Sequence, residues 1–281
     1  KKIVIVLGLL TILSKFLGLI RDVVLSYFYG VSNVTDAYLI SLTIPVTAFS
    51  IIGTGIATSY IPMYTKISKE RGNGLADNYT NNVASFVIIA CTILVLVVLV
   101  FAEPIVKIFA SGFEGETLRL ASRFTRIGIF SIYFSGLIYV FSSYLQVKNK
   151  FIVTALMIIP YNLVAIASVI FSSFNISILA IGSILAFVAQ LFFIIPFVMK
   201  SGFKFNFRFN PKDQYLKKML YISLPVIIGA SVDQIIILID RTMASQLAVG
   251  GISALNYASR FNGVVQGIFV ASITTVMYPV I

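Results

Sequence analysis

Seven charged residues stand inside apolar stretches long enough to cross a bilayer: Lys15, Arg21, Asp22, Asp233, Asp240, Arg241 and Arg260. An eighth, Asp36, sits where another such stretch begins. At a helix centre each costs roughly 2.5–3.5 kcal/mol on insertion scales, so seven left in lipid would cost about 20 kcal/mol. They must face protein or a water-filled cavity. Four bases against three acids favour an anionic ligand, and phosphate suits the fork of donors on an Arg guanidinium. The chain has no His and one Cys, Cys91, in the middle of an apolar run. That excludes disulfide frameworks, zinc fingers and His-based acid–base chemistry. With no base nearby to make a thiolate, Cys91 is expected to be a small buried apolar side chain.

Spacing ties these charges together. Lys15 and Asp22 are seven residues apart, which brings them within about 20° of each other on a helix. Gly18, Ser14 and Gly8 add small or polar positions to the same face. Asp233 and Asp240 repeat the seven-residue interval, with Gln234 beside them. Arg260 has Asn256 one turn earlier, Asn262 and Gln266 further on, and no sequence-local counter-ion. It is the residue most readily given a function. The structural alternative makes Arg21–Asp22 and Asp240–Arg241 ion pairs between helices. Adjacent residues point about 100° apart, so each member is expected to find its partner on another helix.

The elements that must position these residues follow from composition. A chain of 281 residues, 59% hydrophobic and 11% charged, with mean hydropathy +1.00, is no soluble domain. Eight transmembrane helices are predicted, over 3–29, 37–64, 81–102, 122–145, 152–172, 176–199, 219–247 and 252–279. A membrane barrel would alternate in blocks of about ten residues, so the fold class is an all-α polytopic helix bundle. The first block looks like a signal peptide but runs on through Arg21 and Asp22 without a small-residue cleavage site, and is read as a retained helix.

Thirteen bases fall on the N-terminus and the even-numbered connections, six of them from Lys200 to Lys218. Four fall on the opposite side: Lys107, Arg119, Arg123 and Arg126. This bias puts the N-terminus in the cytoplasm. The net charge of +11 then reports loops facing anionic membrane lipids rather than nucleic acid. The run Phe203-Lys204-Phe205-Asn206-Phe207-Arg208-Phe209 fits the headgroup level. Pro45, Pro62, Pro160, Pro196 and Pro225 are expected to kink or unwind their spans. Gly53-Thr54-Gly55 is read as a close-packing surface.

Helix 7 resembles helix 1, with Ile20-Arg21-Asp22 set against Ile239-Asp240-Arg241, Ser26 against Ser245 and Tyr38 against Tyr257. Repeated bundles are the plan of secondary transporters, with substrate at the interface. The expected organisation is a six-helix lobe over 1–200, a basic aromatic cytoplasmic connection over 201–218, and two helices of a second, incomplete lobe over 219–281. The chain is thus read as a fragment of a longer transporter.

The residues also carry a family resemblance. Ser14-Lys15-Phe16-Leu17-Gly18-Leu19-Ile20-Arg21-Asp22, Phe28-Tyr29-Gly30, Thr35-Asp36-Ala37-Tyr38 and Ile44-Pro45 resemble the opening of the MviN/MurJ lipid II flippases. These belong to the multidrug/oligosaccharidyl-lipid/polysaccharide exporter superfamily. Tyr257-Ala258-Ser259-Arg260-Phe261 is similar to that family's helix 8. The resemblance implies a fourteen-helix flippase of the bacterial cytoplasmic membrane, working by alternating access in peptidoglycan synthesis. A cationic cavity would take the diphosphate and sugar head of a polyprenyl-linked precursor. Carried over by position, the substrate-binding residues would be Lys15, Arg21, Asp22, Asp36 and Arg260, with Ser14 and Ser253 as neighbours. Asp240 falls where some members have a sodium-linked carboxylate, so sodium or the membrane potential is the expected driving force, without an organic cofactor or metal. Two positions depart from the pattern. Phe49 stands where an Arg is usual, and Gly263 where an acid follows the helix 8 Arg. A related polysaccharide or multidrug exporter is the neighbouring alternative, and a membrane glycosyl- or prenyl-transferase the alternative from another class. The latter would need clustered carboxylates, and the sequence has no Asp-Asp-x-x-Asp.

Overall fold

Ser32 begins the longest helix, α2 (Asn33–Arg71). Its hydroxyl oxygen accepts the Thr35 N–H at 3.3 Å, while the Thr35 hydroxyl donates to the Gly30 carbonyl at 3.0 Å. At the other end Gly72, at φ +85°, stops the helix after Lys69 and Arg71, whose charges suit the carbonyl end. Pro45 and Pro62 lie inside α2 without ending it.

The computed structural model describes residues 2–263. It contains α1 (Lys2–Tyr29), α2, α3 (Asn73–Val100), a short α4 (Ala102–Phe109), α5 (Gly115–Gly128), α6 (Ser131–Val147), α7 (Phe151–Leu156), α8 (Ile158–Phe171), α9 (Ser177–Lys200) and α10 (Gln214–Leu247), followed by helical residues 251–263. No strand occurs among the described residues, and the fold is the expected all-α bundle.

The second span runs on to Arg71 rather than 64 and the third starts at Asn73 rather than 81, the two meeting at Gly72. Three further differences each have a local cause. The fourth starts at Gly115 rather than 122 and bends by 45° between α5 and α6, after Gly128. The fifth is interrupted at Met157, where Pro160 crowds the Leu156 carbonyl and offers it no donor. The seventh begins at Gln214 because Asp213 caps it, accepting the Tyr215 and Leu216 N–H groups at 2.8 and 3.0 Å. Most of the eighth span lies outside the described residues. By length and composition α2, α3, the stretch Phe151–Phe171, α9 and α10 can each cross a bilayer, and the bent pair adds a sixth crossing. With 28 residues α1 extends about 42 Å, beyond the hydrocarbon thickness as well.

Two apolar clusters hold the bundle. One joins α2, α3, α6 and α9 around Tyr60, Val87, Ile132 and Tyr144. The other joins α1, α2, α5 and α9 around Leu25, Ile40, Phe124 and Leu179. Cys91 lies buried in the first, its thiol 3.5 Å from the Ile132 carbonyl. Gly53 lies under the Tyr139 ring, where a Cβ would be crowded, and Gly55 against Ser223 and Ile227 of α10, where a Cβ would collide. The glycine pair is a packing surface, as expected.

At the end of the bundle where the basic connections gather, polar groups are tied up inside the protein. Tyr60 shares a hydrogen bond with Thr80, the Tyr64 hydroxyl donates to Asp77 at 2.9 Å, and the Tyr144 hydroxyl donates to the Ser201 carbonyl at 3.3 Å. Lys148 places its ammonium 5.3 Å from the centres of both the Tyr64 and Tyr144 rings. The non-helical connection after α9 is strapped along α3. Asn81 takes the Asn206 N–H at 2.9 Å and donates to the Lys204 carbonyl at 3.2 Å. Asn82 does the same for both backbone groups of Asn210, and the Ser85 hydroxyl accepts the Arg208 N–H. Phe203 is buried against Phe141 and Tyr144.

Candidate functional site

Helix α1 brings Arg21 and Asp22 to the inner side of the bundle, and helical residues 251–263 bring Arg260 to meet them. Arg21 donates to Asp22 Oδ1 through Nε at 3.0 Å and Nη2 at 2.9 Å. Arg260 Nε lies 3.0 Å from the other oxygen, Oδ2, as an ion pair whose N–H is not aligned for a hydrogen bond. One carboxylate, 5% exposed, is thus shared by two guanidiniums, exposed by 16% and 54%. The expectation that adjacent Arg21 and Asp22 would need partners elsewhere is corrected: the long Arg21 side chain folds back across the 100° step. Asp22 still reaches a second helix, through Arg260.

Two cavities meet at this triad. One, of about 400 Å³, is lined by Ser14, Lys15, Gly18, Arg21, Tyr161, Asn162, Ser259, Arg260 and Gly263, among others. The second, of about 300 Å³, takes in Arg21, Asp22, Tyr38, Thr47, Tyr161, Gln234, Arg241, Asn256 and Arg260. Arg21, Tyr161 and Arg260 belong to both. The Lys15 ammonium lies 3.5 Å from the Gly263 carbonyl, at the departure where the family pattern has an acid. Arg241 donates to the Ile252 carbonyl at 3.2 Å and to Asn256 Oδ1 at 3.1 Å, partners that leave its charge uncompensated. Across the two cavities stand Lys15, Arg21, Arg241 and Arg260 against Asp22 alone. An anion entering here meets forked donors and a surplus of positive charge in a partly desolvated space.

Asp36 and Ser253 are brought together, but away from these cavities. The Asp36 carboxylate accepts the Gly250 N–H at 2.9 Å and the Ser253 N–H at 2.7 Å, capping the helical residues 251–263. The Tyr257 hydroxyl donates to the Gly30 carbonyl at 3.3 Å. Gly250, at φ +82°, packs so closely on Val31 that a Cβ would collide with it. Both Asp36 oxygens are therefore engaged in joining the start of α2 to the turn after α10. Asp240 is exposed on α10 and lines neither cavity. Asp233 is exposed as well, and Gln266 lies outside the described residues.

Sequence reasoning left out Tyr161, Asn162 and Ser259, and it expected Arg241 to find a partner on another helix, as it does at Ile252 and Asn256, without naming either. A signal for the first two was present, since Tyr161 and Asn162 follow Pro160 in a span without charge. Phe49, at the other departure, is buried at 2% exposure, 5.6 Å from the Tyr139 ring, so the position belongs to the core here.

The family model described as lipid II flippase MurJ matches residues 25–281. A probable lipid II flippase MurJ of Buchnera aphidicola subsp. Baizongia pistaciae is 30% identical, the match covering 100% of this chain and 56% of that one. The lipid II flippase MurJ of Thermosipho africanus is 31% identical over 72% of this chain and 42% of its own. This chain spans about half the length of the curated relatives it matches. Among solved structures, a lipid II flippase MurJ in an inward closed conformation superposes with TM-score 0.84 at 28% identity, covering 97% of this chain and 57% of that one. An inward-facing multidrug resistance MATE family transporter of the MOP superfamily gives 0.69 at 20% identity, over 95% and 63%, a likeness of fold.

Proposed function

This chain belongs to the MurJ family of lipid II flippases, a family of multi-pass membrane transporters, and on that premise we propose that it supplies the cargo-binding half of such a carrier. The cargo is a polyprenyl-diphosphate-linked peptidoglycan precursor of the lipid II class, carried across the bacterial cytoplasmic membrane by alternating access, with the N-terminus in the cytoplasm. The observation that carries the reading is the meeting of Arg21 and Arg260 on one carboxylate beside Lys15, at the wall between two cavities.

In this mechanism Asp22 holds the two guanidiniums together at the cavity wall before cargo arrives. A diphosphate competes for the same donors, offers more oxygens than one carboxylate, and also draws on Lys15 and Arg241. Tyr161 and Ser14 of the lining supply neutral polar contacts, while the prenyl tail stays among lipid-facing helices. Cargo drives turnover only by binding the two access states unequally. A cavity with surplus charge also feels the membrane potential, at about 2.3 kcal/mol per charge per 100 mV. A sodium gradient is the other source, for which Asp240 is the candidate carboxylate by family position.

The test is precursor translocation in cells that depend on the full-length protein, with Arg21→Ala and Arg260→Ala at matched expression. Loss of one charge-assisted contact to phosphate predicts about a tenfold to hundredfold fall in transport for each. Wild-type transport by both variants overturns the proposal.

A further inference from the structure

A cavity of about 500 Å³ lies far from the charged triad and shares no residue with either of its cavities. Leu137 and Phe141 of α6 form its floor, since α6 packs on both α3 and α9. Ile88 stands on one wall, and Leu191, Ile195, Val198 and Met199 form the other. From Met199 down to Leu191 the cleft follows α9 for about 12 Å. Its mouth lies under the strapped connection, where Phe203, Lys204 and Phe205 complete the lining. Lys204 is the one charged residue of that lining.

Three facts fix the chemistry of an occupant. Apart from Lys204 the lining side chains are all apolar, so the occupant has a hydrocarbon part. Lys204 is held at the mouth, because Asn81 grips the backbone on both sides of Phe205. No Asp or Glu occurs between Glu116 and Asp213, so α6, α9 and the strap bring no acid to neutralise Lys204, which forms no ion pair among the described residues. Hydrocarbon below and an unmatched cation at the rim, on the side where the bases gather, describe the two ends of one molecule.

We propose that this cleft is a binding site for an anionic glycerophospholipid of the adjoining leaflet, with one acyl chain lying over α6 between α3 and α9 and the phosphate on Lys204. The site stands independently of the cargo cavity. By holding the strap against the bundle at Phe203–Phe205, bound lipid stabilises the connection leading into α10.

The chain contains no Trp, so Ile195→Trp in the full-length protein gives a reporter read as the difference from its parent. Leu137→Trp serves as a second reporter should the first lower the melting temperature. In vesicles, phosphatidylglycerol with brominated acyl chains should half-quench the reporter at about a fivefold lower mole fraction than phosphatidylcholine carrying the same chains. Lys204→Gln should abolish the difference, and Arg208→Gln, on the same strap but outside the lining, should keep it. Equal quenching by the two lipids overturns the proposal. So does an equal loss in both variants, which would mean diffuse surface attraction. Displacement by a polyprenyl phosphate at lower mole fraction than phosphatidylglycerol also overturns it, giving the cleft to the cargo's tail.

Discussion

Two regions of this bundle put polar groups among apolar helices, and they treat them in opposite ways. At the tyrosine-rich end of α2, α3 and α6, donors and acceptors find each other: Tyr60 with Thr80, Tyr64 with Asp77, Asn81 and Asn82 with the backbone of the strap. The buried Ser59 and Tyr79 hydroxyls are the exceptions there. At the junction of α1, α8, α10 and residues 251–263, four cations line the cavities with one carboxylate between them. Both arrangements look alike as sequence, polar letters in apolar runs. The difference is saturation. A region whose polar groups are mutually satisfied gains a unique packing, whereas surplus charge of one sign is retained at a cost that only a ligand or water offsets.

The strongest challenge to that contrast is to unsaturate the first region. Asn81→Leu with Asn82→Leu strips partners from both backbone groups of Asn210 and from one each of Lys204 and Asn206. A loss of about 3 kcal/mol is expected, seen as a lower melting temperature in detergent, with precursor translocation per folded molecule unchanged. An unmoved melting temperature would remove the distinction.

A smaller effect, about 2 kcal/mol, is expected from Asp22→Ala, which leaves Arg21 and Arg260 facing each other without their shared carboxylate. Water in the cavities limits the damage. The double variant Arg21→Ala, Asp22→Ala should be more stable than the sum of the singles implies, and strict additivity would mean the triad is not coupled. Smallest of all is Arg260→Ala, within about 0.5 kcal/mol of wild type in stability, because that side chain is 54% exposed. A melting shift as large as that of Asp22→Ala would make Arg260 a packing residue.

Much of the fold was legible because bilayer thickness constrains apolar length so tightly. The breaks were less so. Pro160 interrupts its span at Met157, while Pro45, Pro62, Pro196 and Pro225 sit in unbroken helices, since neighbours decide whether a freed carbonyl is tolerated. At the charged site, the seven-residue interval placed Lys15 near Asp22, but no interval within one helix can reveal a partner on another. The meeting of Asp22 with Arg260, 238 positions away, needed the fold. The same limit hid the engagement of Asp36 with Ser253 and the turn of Arg241 toward Asn256 rather than its neighbour Asp240. Family likeness pointed to Asp36 and Ser253 without saying what they touch.

Asn210 is the last residue of the connection gripped by α3, and Gln214 is the first of α10. Only Pro211, Lys212 and Asp213 lie between them, a leash of at most about 14 Å, stiffened by a proline ring and committed at its far end to starting a helix. At this end α10 is therefore tethered too closely to slide along the first six crossings, and any motion of it there must swing about that short pivot.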